Sequence, residues 1–392
     1  MSPPIRILVV DDSAVLRMVL GRVISRAPGM ELVGVAVDGL EALEAARRLD
    51  PDVVTLDVEM PELDGLATLR RLLAERPTRV IMLSRATRSG AEVTMDAFRA
   101  GAIDAIAKPD TAWGNGPNPF VDDLLAKIRA AARVPLAQIR ATPSAGPDVP
   151  SARAPIHSRA DGRDRTAGAH ALVVLATSTG GPRALDALLS GLPAHLGAGV
   201  VVVQHMLTGF TATMADRLDR VGPLAVREAT AGVRLVDDMV LVAPGDRHVL
   251  VDGAGVVTLD GSPRVNGVRP AADVTLLAAA PIWRERLLTV VLTGMGRDGT
   301  AGARATRSHG GTVFAQDQGS AAVFGMPRAV AEAHVADRIL PLAEVAAAIT
   351  EWAAGLGPVV LPMEGPRPTE NRRRGRYQST TRERAIRPIP GP

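Results

Sequence analysis

Ile5-Arg6-Ile7-Leu8-Val9-Val10-Asp11-Asp12-Ser13 carries a six-residue, mostly apolar strand pattern straight into two carboxylates and a serine, and a helical pattern starts near Ala14. Apolar runs at Leu32–Val37, Val53–Leu56, Val80–Leu83 and Ala102–Ala107 repeat the theme up to about Ala132. Strands that alternate with helices predict a parallel, doubly wound α/β sheet. A second alternating region opens at Leu172-Val173-Val174-Leu175 and takes in Val200–Val203 and Leu287–Leu292. Helices are expected there near Pro182–Ser190, Thr208–Arg220 and Thr300–His309, with a strand-rich insert between about Ala225 and Leu259. Arg133–Ala169 is rich in Pro, Ala, Ser, Arg and Gly without sustained period and reads as a flexible linker. Beyond Leu361 no apolar period survives, which predicts a disordered tail. The expected division is therefore an α/β domain over 1–132, a linker over 133–169, a second α/β domain over 170–357 and a basic tail over 358–392.

Composition narrows the function. The chain has 392 residues, 46% hydrophobic and 22% charged, ordinary values for a globular protein of two or three domains. Aromatic residues make up only 2%, too few to build base-stacking platforms for single-stranded nucleic acid. With no cysteine there is no disulfide, thiolate nucleophile or cysteine-held metal, which suits a reducing compartment. Neither a signal-peptide pattern nor an apolar run of about 18 residues is present, so a cytoplasmic protein without membrane insertion is expected. The net charge of +3 resides in the tail, where Met363–Pro392 holds eight Arg against three Glu.

Asp11 and Asp12 follow the first strand, and Asp57 follows Val53-Val54-Thr55-Leu56. Ligands of a doubly wound sheet sit outside the carboxyl ends of its strands, so these carboxylates should converge. A hard cation relieves their repulsion, and Mg²⁺ takes one or two carboxylates together with phosphate oxygens. Ser84 at the fourth strand end and Lys108-Pro109 at the fifth add a hydroxyl and an ammonium to the same rim.

In the second region, Leu172–Ala176 leads into Thr177-Ser178-Thr179-Gly180-Gly181-Pro182, a turn into a helix with proline in its first turn. Ser178 there reads as a helix cap, as part of a phosphate-binding turn, or as a nucleophile beside helix-terminal N–H groups. Val200–Val203 and Gln204 end at His205, an imidazole available as a general base near neutral pH. Leu287–Leu292 leads to Thr293-Gly294-Met295-Gly296-Arg297-Asp298-Gly299, which delivers a carboxylate able to fix the imidazole tautomer. Of the seven histidines, 157, 170, 195, 309 and 334 read as surface residues, and His248 is kept as a possible substrate contact. The chain order Ser, His, Asp and the lack of a Gly-x-Ser-x-Gly elbow disfavour the common lipase fold.

Val9-Val10-Asp11-Asp12-Ser13, Leu56-Asp57-Val58-Glu59-Met60-Pro61, Asp64-Gly65, Ser84 and Lys108-Pro109 resemble a response-regulator receiver domain over roughly 130 residues. Ser178-Thr179-Gly180-Gly181, Gln204-His205-Met206 with Gly209-Phe210, Arg269-Pro270, Gly294–Gly299, Ala315-Gln316-Asp317 and Gly325-Met326-Pro327 resemble the methylesterase domain of the CheB family, from about Leu172 to Leu342. The two resemblances imply a flavodoxin-like receiver followed by a Rossmann-like methylesterase domain, both doubly wound and mostly parallel. They imply that Asp57 accepts a phosphoryl group from a CheA-type histidine kinase and that Asp12, Asp57 and the Glu59 carbonyl hold Mg²⁺, with Asp11 acting through water. Ser84 and Lys108 would sense the phosphoryl. Ser178 would be the nucleophile, His205 the base and Asp298 the orienter, with Met295 and Thr179 at the oxyanion. The substrates implied are glutamyl methyl esters on methyl-accepting chemoreceptors, with deamidation of receptor glutamines beside them, and the esterase would need no cofactor.

Departures from the family pattern are Ala105 at the usual aromatic switch position, Ala271 for serine, Leu276-Leu277 for Leu-Phe, and Thr177 for a smaller residue. Ala105 shifts the expected output surface to Ser84–Glu92. A non-catalytic, phosphorylation-controlled interaction protein is the alternative reading. A DNA-binding regulator is disfavoured, since residues 172–342 lack a helix-turn-helix pattern and the basic tail offers only salt-sensitive, nonspecific attraction.

Overall fold

A computed structural model of the chain describes residues 3–85, 87–109, 119–139, 168–206 and 208–357. The first five strands, β1 (Ile5–Val10), β2 (Met30–Ala36), β3 (Val53–Asp57), β4 (Arg79–Ser84) and β5 (Asp104–Ala107), form one parallel sheet in the order β2-β1-β3-β4-β5. Their side chains alternate between two helical layers, as the two-residue period requires. Leu8, Val10, Val54, Leu56, Val80 and Met82 face α2 (Gly39–Leu49), α3 (Gly65–Glu75) and α4 (Arg88–Ala100). Ile7, Val9, Val53, Ile81 and Leu83 face α1 (Ala14–Arg26) and α5 (Pro119–Ala131). Helix starts follow from local chemistry: Ser13, Asp38, Asp64 and Thr87 each accept a hydrogen bond from a first-turn N–H.

Packing of this domain continues past Ala132. Val134 and Ile139 are buried in its core, and Arg79 Nε donates to the Val134 carbonyl at 2.9 Å, so 133–139 behaves as part of the domain and not as linker. The rest of the expected linker up to residue 167, and the tail from 358, lie outside the described residues.

The second sheet has seven parallel strands in the order β14-β13-β12-β6-β7-β9-β8. They are β6 (Leu172–Thr177), β7 (Gly199–Gln204), β8 (Ala225–Glu228), β9 (Met239–Val242), β12 (Leu287–Val291), β13 (Thr312–Gln316) and β14 (Arg338–Leu340). The strand-rich insert therefore divides: β8 and β9 extend the main sheet, while β10 (His248–Val251) and β11 (Val257–Asp260) form a separate antiparallel hairpin. One face is covered by α6 (Gly181–Ser190), α7 (Phe210–Val221) and α11 (Leu342–Gly355), the other by α8 (Ala272–Trp283), α9 (Thr300–Ser308) and α10 (Met326–Glu332). Chain order reverses between β6 and β12 here and between β1 and β3 in the first sheet, the two crevices where such sheets bind ligands.

The two domains pack together. The apolar cluster under α4, including Met95 and Phe98, is continuous with that under α6 and α7. Arg217 on α7 pairs with Asp186 on α6 and donates to the Met95 carbonyl. Sequence placed the output surface at Ser84–Glu92, whereas this polar contact falls later on α4.

Candidate functional site

The crevice beside β6 is built by three loops that hold one another. Thr177 and Gln204 are the last paired residues of β6 and β7, so Ser178 and His205 are the next facing positions. His205 N–H donates to the Thr177 carbonyl at 3.0 Å, and Ser178 N–H donates to Thr293 O at 3.0 Å. The Gln204 amide ties the ends together by donating to the Ser178 and His205 carbonyls at 3.0 and 3.1 Å, while its oxygen accepts from the Thr177 hydroxyl. Two glycines make room. A side chain at Gly294 would meet Met326 Sδ and lie 2.8 Å from Ser178 Cβ, and one at Gly181 would collide with the Gln204 oxygen.

His205 Nε2 lies 2.7 Å from Asp298 Oδ2, with the two side chains 10% and 2% exposed. Asp298 is seven residues past β12, and its loop returns over the sheet edge to place the carboxylate against the N-terminus of α8. Oδ2 also accepts the Ala272 N–H at 2.6 Å, and Oδ1 accepts the Asp273 N–H at 3.0 Å. These are first-turn donors that a helix leaves unsatisfied. Ala271, the helix cap, has no hydroxyl to offer, so Asp298 supplies the capping oxygens from another segment. Burial pushes the Asp298 carboxyl up, but the His205 hydrogen bond and charge and the two backbone donors outweigh it and hold the group below the usual carboxylate range. An ionised Asp298 only accepts, so Nε2 carries the proton of this bond, and in the neutral ring Nδ1 is the acceptor left for a proton from elsewhere.

Thr179 and Met295 stand at the same rim. Thr179 is buried, and its hydroxyl donates to Asp104 Oδ2 of the first domain at 2.5 Å. Met295 and Val323 pack against the first domain's apolar cluster, which contains Ile103 and Ile106. Sequence reasoning quoted Gln204, Thr293 and Gln316 but gave them no role in the site. Thr293 N–H donates to Gln316 Oε1 at 2.7 Å, and the Thr293 hydroxyl donates to Thr179 O at 2.9 Å. A buried polar residue at the end of an apolar strand was the available signal. His248 is corrected to a structural residue: it is fully buried, its Nδ1 accepts the Ala271 N–H at 3.1 Å, and its Nε2 faces Pro263 O at 3.2 Å.

In the first domain, oxygens of Asp11, Asp12 and Asp57 lie within 4.8 Å of one another. Lys108 Nζ is 2.8 Å from Asp11 Oδ2 and 2.6 Å from Asp57 Oδ2, though neither oxygen has a well-aligned hydrogen bond. Burial, offset in part by Lys108 and reinforced by Asp11, pushes the Asp57 carboxyl up to about 6. Buried carboxylate oxygens short of donors, beside an exposed Asp12, fit a hard divalent cation. Glu59 N–H donates to Asp57 Oδ1 at 3.2 Å, which brings the Glu59 peptide to the same crevice. Ser84 is buried, and its hydroxyl donates to the Gly90 carbonyl at 3.1 Å.

Comparison with known proteins covers both domains. Residues 173–349 match the family described as CheB methylesterase, and residues 7–112 match the response regulator receiver domain. A protein-glutamate methylesterase/protein-glutamine glutaminase of Symbiobacterium thermophilum is 46% identical over 358 residues, covering 90% of this chain and 98% of that protein. A protein of the same name from Thermotoga maritima is 44% identical over 340 residues, 86% and 95% of the two chains. Protein-glutamate methylesterase/protein-glutamine glutaminase 2 of Pseudomonas aeruginosa is 42% identical over 357 residues, 90% and 98%. Matches at this identity and coverage span both sheets, and the chain belongs to the CheB methylesterase family.

Proposed function

We propose that this chain hydrolyses glutamyl methyl esters on the cytoplasmic helices of chemoreceptors to glutamate and methanol, deamidates receptor glutamines by the same path, and is controlled by phosphorylation at Asp57. The observation that carries this reading is the His205–Asp298 bond at 2.7 Å, made one strand-end from Ser178. Ser178 Oγ attacks the ester carbonyl while His205 Nδ1 takes its proton, and Asp298 stabilises the imidazolium formed. The backbone N–H groups of Met295 and Thr179 are the candidate donors to the tetrahedral oxyanion. The imidazolium then protonates departing methoxide, and a water attacks the acyl-enzyme with His205 again as base. An amide follows the same course, with ammonia leaving. No step of this scheme calls on a cofactor.

In the receiver, Asp57 is the phosphoryl acceptor and a CheA-type histidine kinase the donor. Asp12, Asp57 and the Glu59 carbonyl would hold Mg²⁺, with Asp11 acting through water, and the ion would neutralise charge on the transferring phosphoryl. Lys108 then exchanges a carboxylate for a phosphoryl oxygen, and Ser84 trades the Gly90 carbonyl for another. Inhibition by the unphosphorylated receiver is supported by the Thr179–Asp104 contact beside the nucleophile. The protein works in the cytoplasm on this reading; among the described residues no helix is long and apolar enough to cross a membrane.

Ser178→Ala tests the chemistry. Methanol release from methylated receptor fragments should fall to the residual level left by binding and the oxyanion hole, while Asp57 still takes up phosphoryl. Wild-type release by this variant would reject Ser178 as nucleophile, and no release by the unsubstituted protein with phosphodonor would favour a non-catalytic interaction protein.

A further inference from the structure

Behind Asp298 lies a second buried carboxylate with no part in the mechanism above. Asp273 is 5% exposed, in the first turn of α8, and its Oδ1 accepts the Gly302 N–H of α9 at 2.8 Å. Burial, with Asp298 adding to it, holds the Asp273 carboxyl above its usual range despite the Gly302 and Asn266 donors. Two carboxylates this close repel, and between them stands one neutral donor. Asn266 Nδ2 is 2.9 Å from Asp273 Oδ2 and 3.3 Å from Asp298 Oδ1, so its two N–H bonds serve one carboxylate each. Asn266 sits with Gly267 in a tight turn closed by Val265 and Val268, and both turn residues have positive φ, 54° and 80°.

A two-residue turn of this kind favours Asn-Gly for backbone reasons alone. The turn explains why position 266 prefers Asn, Asp or Gly. It does not explain why the amide is aimed inward at two acids.

We propose that Asn266 is a positioning residue of the esterase, with Asp273 as its anchor: the amide clamps Asp298 in the orientation that bonds His205 and damps the charge that reaches the imidazole. This rests on the esterase reading above. The groups that bear on Asp298 are His205 from the loop after β7, Asp273 from α8 and the backbone donors of α8; Arg297, its neighbour in sequence, is exposed.

The turn itself supplies the test, because Asn266→Gly and Asn266→Asp both retain residues that accept positive φ. Without the amide Asp298 is a stronger acceptor and the imidazolium is favoured. The acid limb of the pH dependence of kcat/KM should therefore move to higher pH in Asn266→Gly and further in Asn266→Asp, where a third carboxylate is added. Asp273→Asn, which removes charge, should move it lower. In Asn266→Gly kcat should fall about five- to tenfold with KM unchanged. The assay is methanol release from methylated receptor fragments by the full chain with phosphodonor, and the His205 ring resonances followed by NMR report the same titration without turnover. Unshifted limbs and wild-type kcat in both Asn266 variants would leave only the turn role and overturn the proposal, as would a rise in KM alone, which would place the amide on the substrate. Absence of activity in the unsubstituted protein would instead reject the esterase reading, while the NMR ordering of the variants would still decide the clamp.

Discussion

Asp298→Asn separates the two jobs this carboxylate performs. Its four hydrogen bonds divide evenly: Oδ2 takes His205 Nε2 and the Ala272 N–H, and Oδ1 takes the Asp273 N–H and the Asn266 amide. An asparagine has one acceptor oxygen and one donor nitrogen, so in either orientation two of these donors face an NH₂. If the oxygen stays toward His205, the tautomer survives, but the imidazolium loses a charged partner and the buried Asp273 N–H is orphaned. Charge-assisted bonds are worth roughly 1.5–3 kcal/mol, which is about 10- to 150-fold in rate. If the NH₂ turns toward His205, Nε2 must accept, the proton moves to Nδ1, and no lone pair remains for Ser178. That failure costs roughly 10⁴-fold.

The expected result is a loss in kcat/KM of roughly 10- to 10⁴-fold, carried by kcat. The orphaned helix donor should lower stability by about 1–3 kcal/mol, read from urea midpoints. Methanol release across a pH series is the assay. A variant within threefold of the unsubstituted protein would show that the His205–Asp298 bond does not serve the chemistry, and the assignment of base and orienter would fall with it.

Two further outcomes test the control surface and the phosphorylation crevice. Asp104→Ala combined with Lys127→Met removes the acceptor for Thr179 without leaving an unpaired buried cation, since Lys127 Nζ lies 2.9 Å from Asp104. Basal methanol release should rise about 10- to 100-fold and stimulation by phosphodonor should shrink to match; an unchanged basal rate would remove this contact from the inhibitory mechanism. For Asp57, a folded-state value near 6 against 3.8 means the folded protein binds this proton more tightly than the unfolded chain. Its contribution to stability is therefore highest below about pH 4, declines as pH rises to about 6, and is lost above that by about 3 kcal/mol in metal-free protein. Asp57→Asn should be the more stable protein at pH 8 in chelator, and Mg²⁺ should narrow the difference; parallel pH profiles for the two would contradict the burial argument.

Much of this was legible in the residues, and the reason is topological. Strands read from apolar runs put Asp57, Ser84, Lys108, Ser178 and His205 at carboxyl ends, and in a parallel sheet all those ends lie on one side. Period alone could not show how far past a strand the chain travels before a residue returns. Asp298 could therefore be read only as a carboxylate delivered to the rim after Leu287–Leu292, and its seat on the α8 N-terminus appears only in three dimensions. His248 illustrates the opposite limit: an imidazole buried with both nitrogens engaged has the same sequence signature as one that meets a ligand. Val134 and Ile139 lie in a stretch whose proline and alanine content reads as linker, yet two apolar side chains at the right spacing suffice to carry the core onward.

The position of Asp104 bears on how a phosphoryl group at Asp57 could reach Ser178 when Ala105 replaces the usual aromatic switch. Lys108, which bridges Asp11 and Asp57, and Asp104, which holds Thr179, lie four residues apart along β5 and its end, about 13 Å of extended chain. Lys127 fastens the same segment by donating to both Asp104 and the Ala105 carbonyl. On the proposed mechanism, a Lys108 drawn to a phosphoryl oxygen would pull on a strand whose other end holds Thr179, the residue after Ser178, a route that calls on no aromatic rotamer. One charge-assisted bond supplies only part of the roughly 5.5 kcal/mol that a switch from 1:99 to 99:1 demands. The remainder must come from contacts that shift with it, and the Arg217 bond to Met95 and the packing of Met295 and Val323 against the Ile103–Ile106 cluster are those within reach. On the proposed mechanism, release of the receiver then frees Thr179 and Met295 together, the two residues whose backbone N–H groups are the candidate oxyanion donors.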